Sequence, residues 1–517
     1  MIEVGSGTSR TRARHARPRY RMQALLFACA ALSGCMASPD FRRPDAPQTD
    51  RYTRSLMPQR TEQSTGQSGA AQRFAPGEDI PAAWWSLFRC KSLDTLIRQA
   101  LADSPNVASA QAALRHAREN YAAQAGAKRL PGIDAQLGGR RQRINGITFG
   151  QPGLSQVLNL YNASIDVSYN LDLFGATRRE LESLQAQVAY QDYQLQAAYL
   201  ALTANIVTAA VREASLRAQI EATVQIAAHE HDQLTVLQQQ FELGGVARTT
   251  VLAQQTQLAQ TRANLPPLQQ SLDQVRHQLA ILAGKLPSDA ELPEFRLDMF
   301  TLPITLPVSV PSALVRQRPD ILASEALLHQ ASAQVGVATA AMYPHLTLSG
   351  SLGAEALTPA QVFRAANTLW NVGAGLTQPL FRGGQLRAQR RAAVAALEQA
   401  HAQYREIVLL AFQNVADSLR ALDHDASKLR AQTDAWHAAR DALSLTRDQY
   451  RLGSVGYLAL LDAQRQYQQT VINLAQAQAA RYADTAALFQ ALGGGWWNAR
   501  DGQAGAGILN SSDGTRS

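Results

Sequence analysis

The chain has 517 residues, of which 46% are hydrophobic, and a formal net charge of +8 at pH 7. Six arginines and one glutamate in the first 34 residues account for +5 of that charge, so the remainder carries about +3 and lacks the basic stripe of a nucleic-acid-binding surface. The three cysteines, Cys29, Cys35 and Cys90, are too few for an intrachain disulfide framework or a cysteine metal cluster.

Residues 1–34 have the pattern of a bacterial secretory signal peptide. An arginine-rich run precedes an apolar segment over residues 24–32 that is too short to span a membrane. The segment ends in Leu32-Ser33-Gly34-Cys35, which resembles the lipobox of bacterial lipoproteins. That resemblance implies S-diacylglycerol and an N-acyl chain on Cys35, enough acyl chains for stable anchoring. An ordinary signal peptide with a coincidental cysteine is the alternative.

Residues 35–92 are predicted to form a lipidated tether and strap. The residue after the cysteine is Met36 rather than an aspartate, which resembles the sorting pattern of lipoproteins delivered to the outer membrane. Residues 45–80 are rich in Gln, Thr, Ser, Gly, Pro and Arg, a composition typical of a flexible linker.

The body of the chain is duplicated. The segment YNLDLFG ending at Gly175 corresponds to TQPLFRG ending at Gly383, and Leu130-Pro131 corresponds to Tyr343-Pro344. The chain is therefore predicted to contain two repeats over 93–284 and 312–493. A proline-rich extended linker over 285–311 joins them, and a flexible tail over 494–517 follows.

Each repeat is predicted to contain a helical segment, two strands and a hairpin of two long helices. The strands show period-two alternation, which gives one apolar and one polar face. Their length of about ten residues fits transmembrane β-barrel strands, with half-buried strands of a soluble sheet as the alternative. The initial helical segments cover 93–128 and 312–341, and the strands fall at 133–138, 163–172, 346–354 and 370–377.

The long helices carry apolar residues at seven-residue spacing, which predicts packed helices with a left-handed supercoil. As a single helix, residues 175–242 extend over about 100 Å. Pro266 and Pro267 predict a bend or break in the return helix over 247–284. One apolar row is Leu181, Val188, Leu195, Leu202, Ala209 and Leu216, and the second is Ile206, Ile220, Ala227, Leu234 and Phe241.

Four strands cannot close a transmembrane barrel, because an open edge in lipid leaves backbone groups unpaired. Several protomers must share one barrel, so two chains give eight strands and three give twelve. An eight-stranded barrel is filled by its own side chains, and this geometry favours three chains.

Several motifs resemble those of lipidated TolC-like outer-membrane factors. They are GCMASPDFRRP from Gly34, WWSLF from Trp84, RPDILASE from Arg318, YRLG from Tyr450 and LLDAQR from Leu460. The resemblance implies a mainly α-helical homotrimer with a membrane β part, in which a 12-strand β-barrel continues a 12-helix tunnel. It also implies an outer-membrane, lipid-anchored protein that extends into the periplasm.

The same resemblance implies a passive conduit for drugs or other small toxic compounds. Its implied partners are a membrane-fusion adaptor in the periplasm, an inner-membrane efflux pump and the lipid of the outer membrane. It implies no enzyme activity, and the chain carries no recognisable catalytic nucleophile motif. A lipidated periplasmic coiled-coil adaptor and a secreted lipoprotein enzyme are the alternatives.

Two glycine turns, at 244–245 and 453–456, are implied by the resemblance to form a periplasmic tip that holds the gate. Many members have acidic residues in the second turn, whereas this chain has Ser454, Val455 and Gly456. The ionisable groups nearest that turn are expected to form inter-helix ion pairs or to be solvated. The candidate gate residues are Gly244, Gly245, Asp448, Arg451, Gly453, Val455, Gly456 and Asp462.

Two polar clusters have structural explanations. Arg318-Pro319-Asp320 has the pattern of a helix start, with proline in the first turn and an acid near the helix N-terminus. In His229-Glu230-His231 the histidines are two apart on a helix and cannot chelate one ion, so a solvated face is expected instead. No metal or other cofactor is expected apart from the lipid on Cys35.

Overall fold

The computed structural model describes residues 40–66, 68–145 and 155–501. Cys35 and the predicted signal peptide lie outside the described residues. The chain divides into two compact units, each built from separate stretches of sequence. The first unit contains Asn120–Gln185 and His329–Glu398 with the chain up to Arg42, and the second contains Arg43–Glu119, Ala186–Leu328 and the chain from Gln399.

The described elements follow the duplicated order that the sequence predicts. Those of the first repeat and its approach are β1 (Arg73–Pro76), α1 (Lys91–Asp103), α2 (Pro105–Arg129), β2 (Gly132–Asn145), β3 (Ser155–Leu171), α3 (Ala176–Glu242), α4 (Arg248–Ala263) and α5 (Leu265–Leu282). The linker and second repeat contain β4 (Thr305–Val308), α6 (Pro311–Gln317), α7 (Pro319–Ala340), β5 (His345–Ala356), β6 (Thr368–Thr377), α8 (Gln385–Arg451) and α9 (Tyr457–Ala491).

Proline sets the helix starts at equivalent places in both repeats. The backbones of Ser104 and Arg318 are extended, with ψ of 122° and 125°, because a following proline disfavours the helical conformation. New helices therefore start at Pro105 and Pro319. Arg318 also donates to both carboxylate oxygens of Asp320 and, at 2.8 Å, to the carbonyl of Ala491. The predicted structural role of this motif is confirmed.

The four long strands form one antiparallel sheet in the order β2-β3-β5-β6. The pairing brings apolar positions into register across the sheet, since Ala135 lies opposite Ile165, Ile165 opposite Leu352, and Leu352 opposite Trp370. Polar residues such as Asp166 and Ser351 fill the alternate rows. A slip of one residue would move every apolar side chain of a strand to the opposite face, so this alternation specifies the register.

The long helices of the first repeat begin and end within two residues of the predicted bounds. Helix α3 is continuous, whereas the return helix is divided at Asn264, just before Pro266 and Pro267, as expected. Leu202, Ala209 and Leu216 of the first apolar row are buried. One 18-residue window of α3 has a mean hydropathy of 1.2, and half of that window is buried inside the protein, as in a packed core helix.

The expectation of a flexible linker throughout residues 45–80 is wrong for its second half. Strand β1 pairs in parallel with β4, and the fully buried Arg481 binds the preceding segment. Its guanidinium donates to the carbonyl of Ser68 at 2.9 Å and to Oε1 of Gln72 at 2.8 Å. Burial lowers the pKa of Arg481 to about 10. Composition did not reveal this segment because its contacts come from residues some 230 to 410 positions away.

Candidate functional site: a membrane sheet and two helix turns

The sheet of the first unit has two open edges. Strands β2 and β6 each pair with one neighbour only, so their outer backbone groups have no partner strand among the described residues. Apolar side chains including Leu137, Trp370 and Val372 are exposed on one face. A single layer with an apolar face and a polar face suits a wall between lipid and water.

Equivalent residues of the two repeats differ in their contacts at the ends of the sheet. Phe174, after β3, stacks on Tyr343, before β5, with ring centroids 5.0 Å apart. The equivalent residues at the outer edges are Phe381, after β6, and Leu130, before β2. These side chains are 88% and 64% exposed, so within the described part of the chain the edges of the sheet lack the contact that Phe174 and Tyr343 form inside it.

In the second unit, the turn after α3 is a Schellman motif. Gly244 has φ of 77°, a conformation that favours glycine, and its N–H donates to the carbonyl of Phe241. The N–H of Gly245 donates to the carbonyl of Gln240 at 2.7 Å. These bonds satisfy carbonyls that the helix end would otherwise leave unpaired.

The turn after α8 repeats this geometry. Gly453 has φ of 75° and donates to the carbonyl of Tyr450, while Ser454 donates to the carbonyl of Gln449. Val455 is half-buried, and Gly456 is the N-cap of α9. The two predicted glycine turns are therefore built alike.

The charged candidates near the second turn make contacts within their own helices. Nη1 of Arg451 lies 3.3 Å from Oδ1 of Asp448, one helical turn earlier, and both side chains are exposed. Asp462 accepts a hydrogen bond from Gln466 on its own helix. In the described chain, these three residues form no inter-helix ion pair with one another.

An apolar cluster holds the two helix turns together within the second unit. Tyr450, just before the second turn, meets Tyr457, just after it, in an edge-to-face contact with centroids 5.8 Å apart. Both rings pack on a cluster that includes Val251 and Leu237 from the first hairpin. The structure therefore brings the predicted tip residues of both repeats close to one core.

A buried polar network that was not predicted from the sequence runs beside this cluster. Glu230 accepts two hydrogen bonds. Its backbone carbonyl accepts one from Nε2 of Gln254 at 2.7 Å, and its side-chain Oε1 accepts one from Gln257 at 3.1 Å. The Tyr457 hydroxyl donates to Oε1 of Gln254, and burial raises the pKa of that hydroxyl. Nε of Arg465 donates to Gln257 at 2.7 Å. Helices α3, α4 and α9 are thereby connected.

The expected solvated face over residues 229–231 is thus wrong for its central residue. His229 and His231 are exposed, but Glu230 is only 2% exposed. The first seven-residue row continues beyond Leu216 to Thr223, Glu230 and Leu237, all of them buried. Extending that row was the signal that would have placed Glu230 in the core.

The other apolar row contains a second buried glutamate. Glu213 lies seven residues after Ile206 and is fully buried. Its Oε1 accepts hydrogen bonds from Arg217 and from Arg276, each at 2.9 Å. Arg276 belongs to α5, so the pair connects the long helix to its return helix.

The family model of outer membrane efflux proteins matches residues 96–285 and 310–494. The chain belongs to this family. It is an outer-membrane efflux channel subunit, so the predicted fold class, outer-membrane location and function are confirmed and the adaptor alternative is not supported.

Individual relatives agree over most of their length. The chain is 32% identical to the pyoverdine export outer membrane protein OpmQ of Pseudomonas aeruginosa, over 81% of this chain and 89% of the relative. It is 28% identical to the antibiotic efflux pump outer membrane protein ArpC of Pseudomonas putida, over 92% and 95%. The solved outer-membrane channel OprN has a TM-score of 0.81 at 29% identity, covering 89% of this chain and all of that one.

Tyr457→Phe tests the buried network. The substitution removes the donor to Gln254 and leaves a buried acceptor unpaired, which we expect to cost about 1–2 kcal/mol per chain. A lower thermal unfolding midpoint in detergent measures the loss. Tyr450→Phe is the matched control, since the Tyr450 hydroxyl forms no hydrogen bond with a described residue; equal effects in both variants would contradict the assigned role.

Proposed function

We propose that three copies of this chain form one passive conduit through the outer membrane. The observation that supports this most directly is the four-stranded sheet with two unpaired edges. In hydrocarbon, each unpaired backbone group costs several kcal/mol, so β6 of one copy is expected to pair with β2 of the next. Three copies give twelve strands, which leaves a lumen that eight strands would fill.

The internal repeat suggests which side chains meet at the seam between copies. Within one chain, the junction of β3 and β5 is covered by Phe174 stacked on Tyr343. At the seam, the same positions are occupied by Phe381 of one copy and Leu130 of the next. Contact between them would bury two large apolar side chains that are exposed in the single chain.

Phe381→Ser tests the proposed trimer. The loss of apolar contact at each of three seams is expected to weaken the assembly by roughly 1–3 kcal/mol per seam. The wild-type chain in mild detergent should have the mass of three chains by light scattering, and the variant trimer should dissociate at a lower temperature.

Phe363→Ser is the matched control for that variant. Phe363 is 84% exposed and lies in the connection that enters β6, at the opposite end of that strand from Phe381. The Phe363→Ser trimer should dissociate at the same temperature as the wild-type trimer. A stable monomer of the wild-type chain would contradict the shared barrel itself.

The conduit is proposed to act with a periplasmic adaptor and an inner-membrane pump that supplies the energy, and to catalyse no reaction. Its substrates are proposed to be drugs or other small toxic compounds. The names of the relatives support a range of small exported molecules, since one exports pyoverdine and another antibiotics.

The two glycine turns are proposed to form the periplasmic gate. Arg451 pairs with Asp448 on its own helix, and around the trimer axis the same guanidinium is expected to reach an acid of the neighbouring copy, a contact worth under about 1 kcal/mol for each exposed pair. Arg451→Glu places two acids one helical turn apart and should favour opening. The expected result is higher single-channel conductance in planar bilayers and greater vancomycin sensitivity of cells. Unchanged conductance in an intact trimer would place the gate elsewhere.

Cys35 is proposed to carry the lipid anchor. Cys35→Ser should abolish acylation and slow signal-peptide removal, while the strands still insert. Intact-mass measurement of the mature wild-type protein checks this. An unacylated N-terminus that does not start at residue 35 would contradict the assignment.

A further inference from the structure

The outward face of the sheet changes from apolar to basic along β2 and β3. On β3 the apolar face runs from Leu171 through Val167 and Ile165 to Tyr161. About ten residue steps on a strand tilted by about 40° rise by about 26 Å, which matches the apolar band of a membrane barrel, about 25 Å tall. Tyr161 therefore lies where the hydrocarbon layer ends on the side away from the helices.

Two arginines occupy the next outward positions on the neighbouring strand. The β2–β3 pairing continues without a bulge, so Gly139 lies opposite Tyr161, Arg141 opposite Asn159, and Arg143 opposite Val157. Both arginine side chains are exposed and share the face of Leu137. Because a lipid-facing arginine costs about 2–4 kcal/mol at the bilayer midplane but about 0–1 near the interface, these positions suit the headgroup layer.

The arginine between them provides a contrast. Arg140 points to the opposite, lumen-side face, where its Nη2 lies 3.7 Å from Oε1 of Glu355. Among the described residues, neither Arg141 nor Arg143 forms an ion pair with a carboxylate. Arg143 uses Nε to donate to Ser155 at 2.7 Å, a single bond among its five N–H donors.

We propose that Arg141 and Arg143 bind the phosphate groups of a phosphorylated glycolipid, lipid A, in the outer leaflet. Guanidinium groups form bidentate hydrogen bonds with phosphate oxygens, and two arginines two residues apart are separated by about 7 Å along the strand. The lipid supplies the negative charge that no described side chain provides on this face. The inference rests on the proposed membrane barrel, because that barrel turns this face toward lipid.

The test compares the full-length trimer carrying Arg141→Gln and Arg143→Gln with the wild type and with Arg140→Gln. Each detergent-purified trimer is titrated with bis-phosphorylated lipid A, and the bound lipid is counted by native mass spectrometry. The double variant should bind roughly tenfold more weakly. Arg140→Gln, on the same strand but the opposite face, should bind like the wild type.

Two further lipids identify the source of the phosphate. Lipid A without its phosphates and phosphatidylglycerol should both bind the wild type more weakly than bis-phosphorylated lipid A. Equal binding of phosphatidylglycerol, or equal lipid A binding by the double variant and the wild type, would overturn the proposal.

The state of the trimer separates this proposal from the proposed function. If the double variant dissociates while its remaining trimers bind lipid A normally, the arginines belong to the seam between copies and the lipid site is wrong. An intact trimer that loses only lipid supports the site. A wild-type chain that forms no trimer would instead defeat the shared barrel.

Discussion

An unpaired backbone N–H or carbonyl group costs several kcal/mol in hydrocarbon, and among the described strands the sheet leaves a row of such groups on β2 and another on β6. The remaining features of the membrane part follow from that cost. Strand pairing must continue into another copy, and a closed ring then fixes an inner face and an outer face. The period-two alternation has a function only because the ring closes, since closure separates the face of Ile165 from the face of Asp166.

The helical part obeys a different constraint. Its seven-residue rows bury Leu202 and Leu216, but the same rows also bury Glu213 and Glu230. A buried carboxylate is costly without hydrogen bonds, and each of these glutamates accepts bonds from residues of the return helices. Polar residues at core positions of packed helices specify register, which is the role that we assign to this pair.

Duplication explains how one chain supplies a fraction of a ring. The two repeats use the same helix break before proline, the same strand hairpin and the same Schellman turn at Gly244 and Gly453. Their differences lie at the edges, where Phe174 stacks on Tyr343 and Phe381 stacks on no ring among the described residues. The side chains of such a conduit shape its passage and form its gate. The best-defined polar networks of this chain connect one helix to another.

The sequence alone determined the features that depend on local periodicity and on chain geometry. Alternation located all four long strands, heptad spacing located the long helix α3, and prolines located the breaks at Asn264 and before Pro319. Tertiary structure decided which distant residues meet. Glu230, Gln254 and Tyr457 form one network, and Arg481 orders the segment around Gln72, although composition indicated a flexible linker there. No period relates such residues, because contacts between separate helices and strands depend on how those elements pack and leave no repeat in the chain.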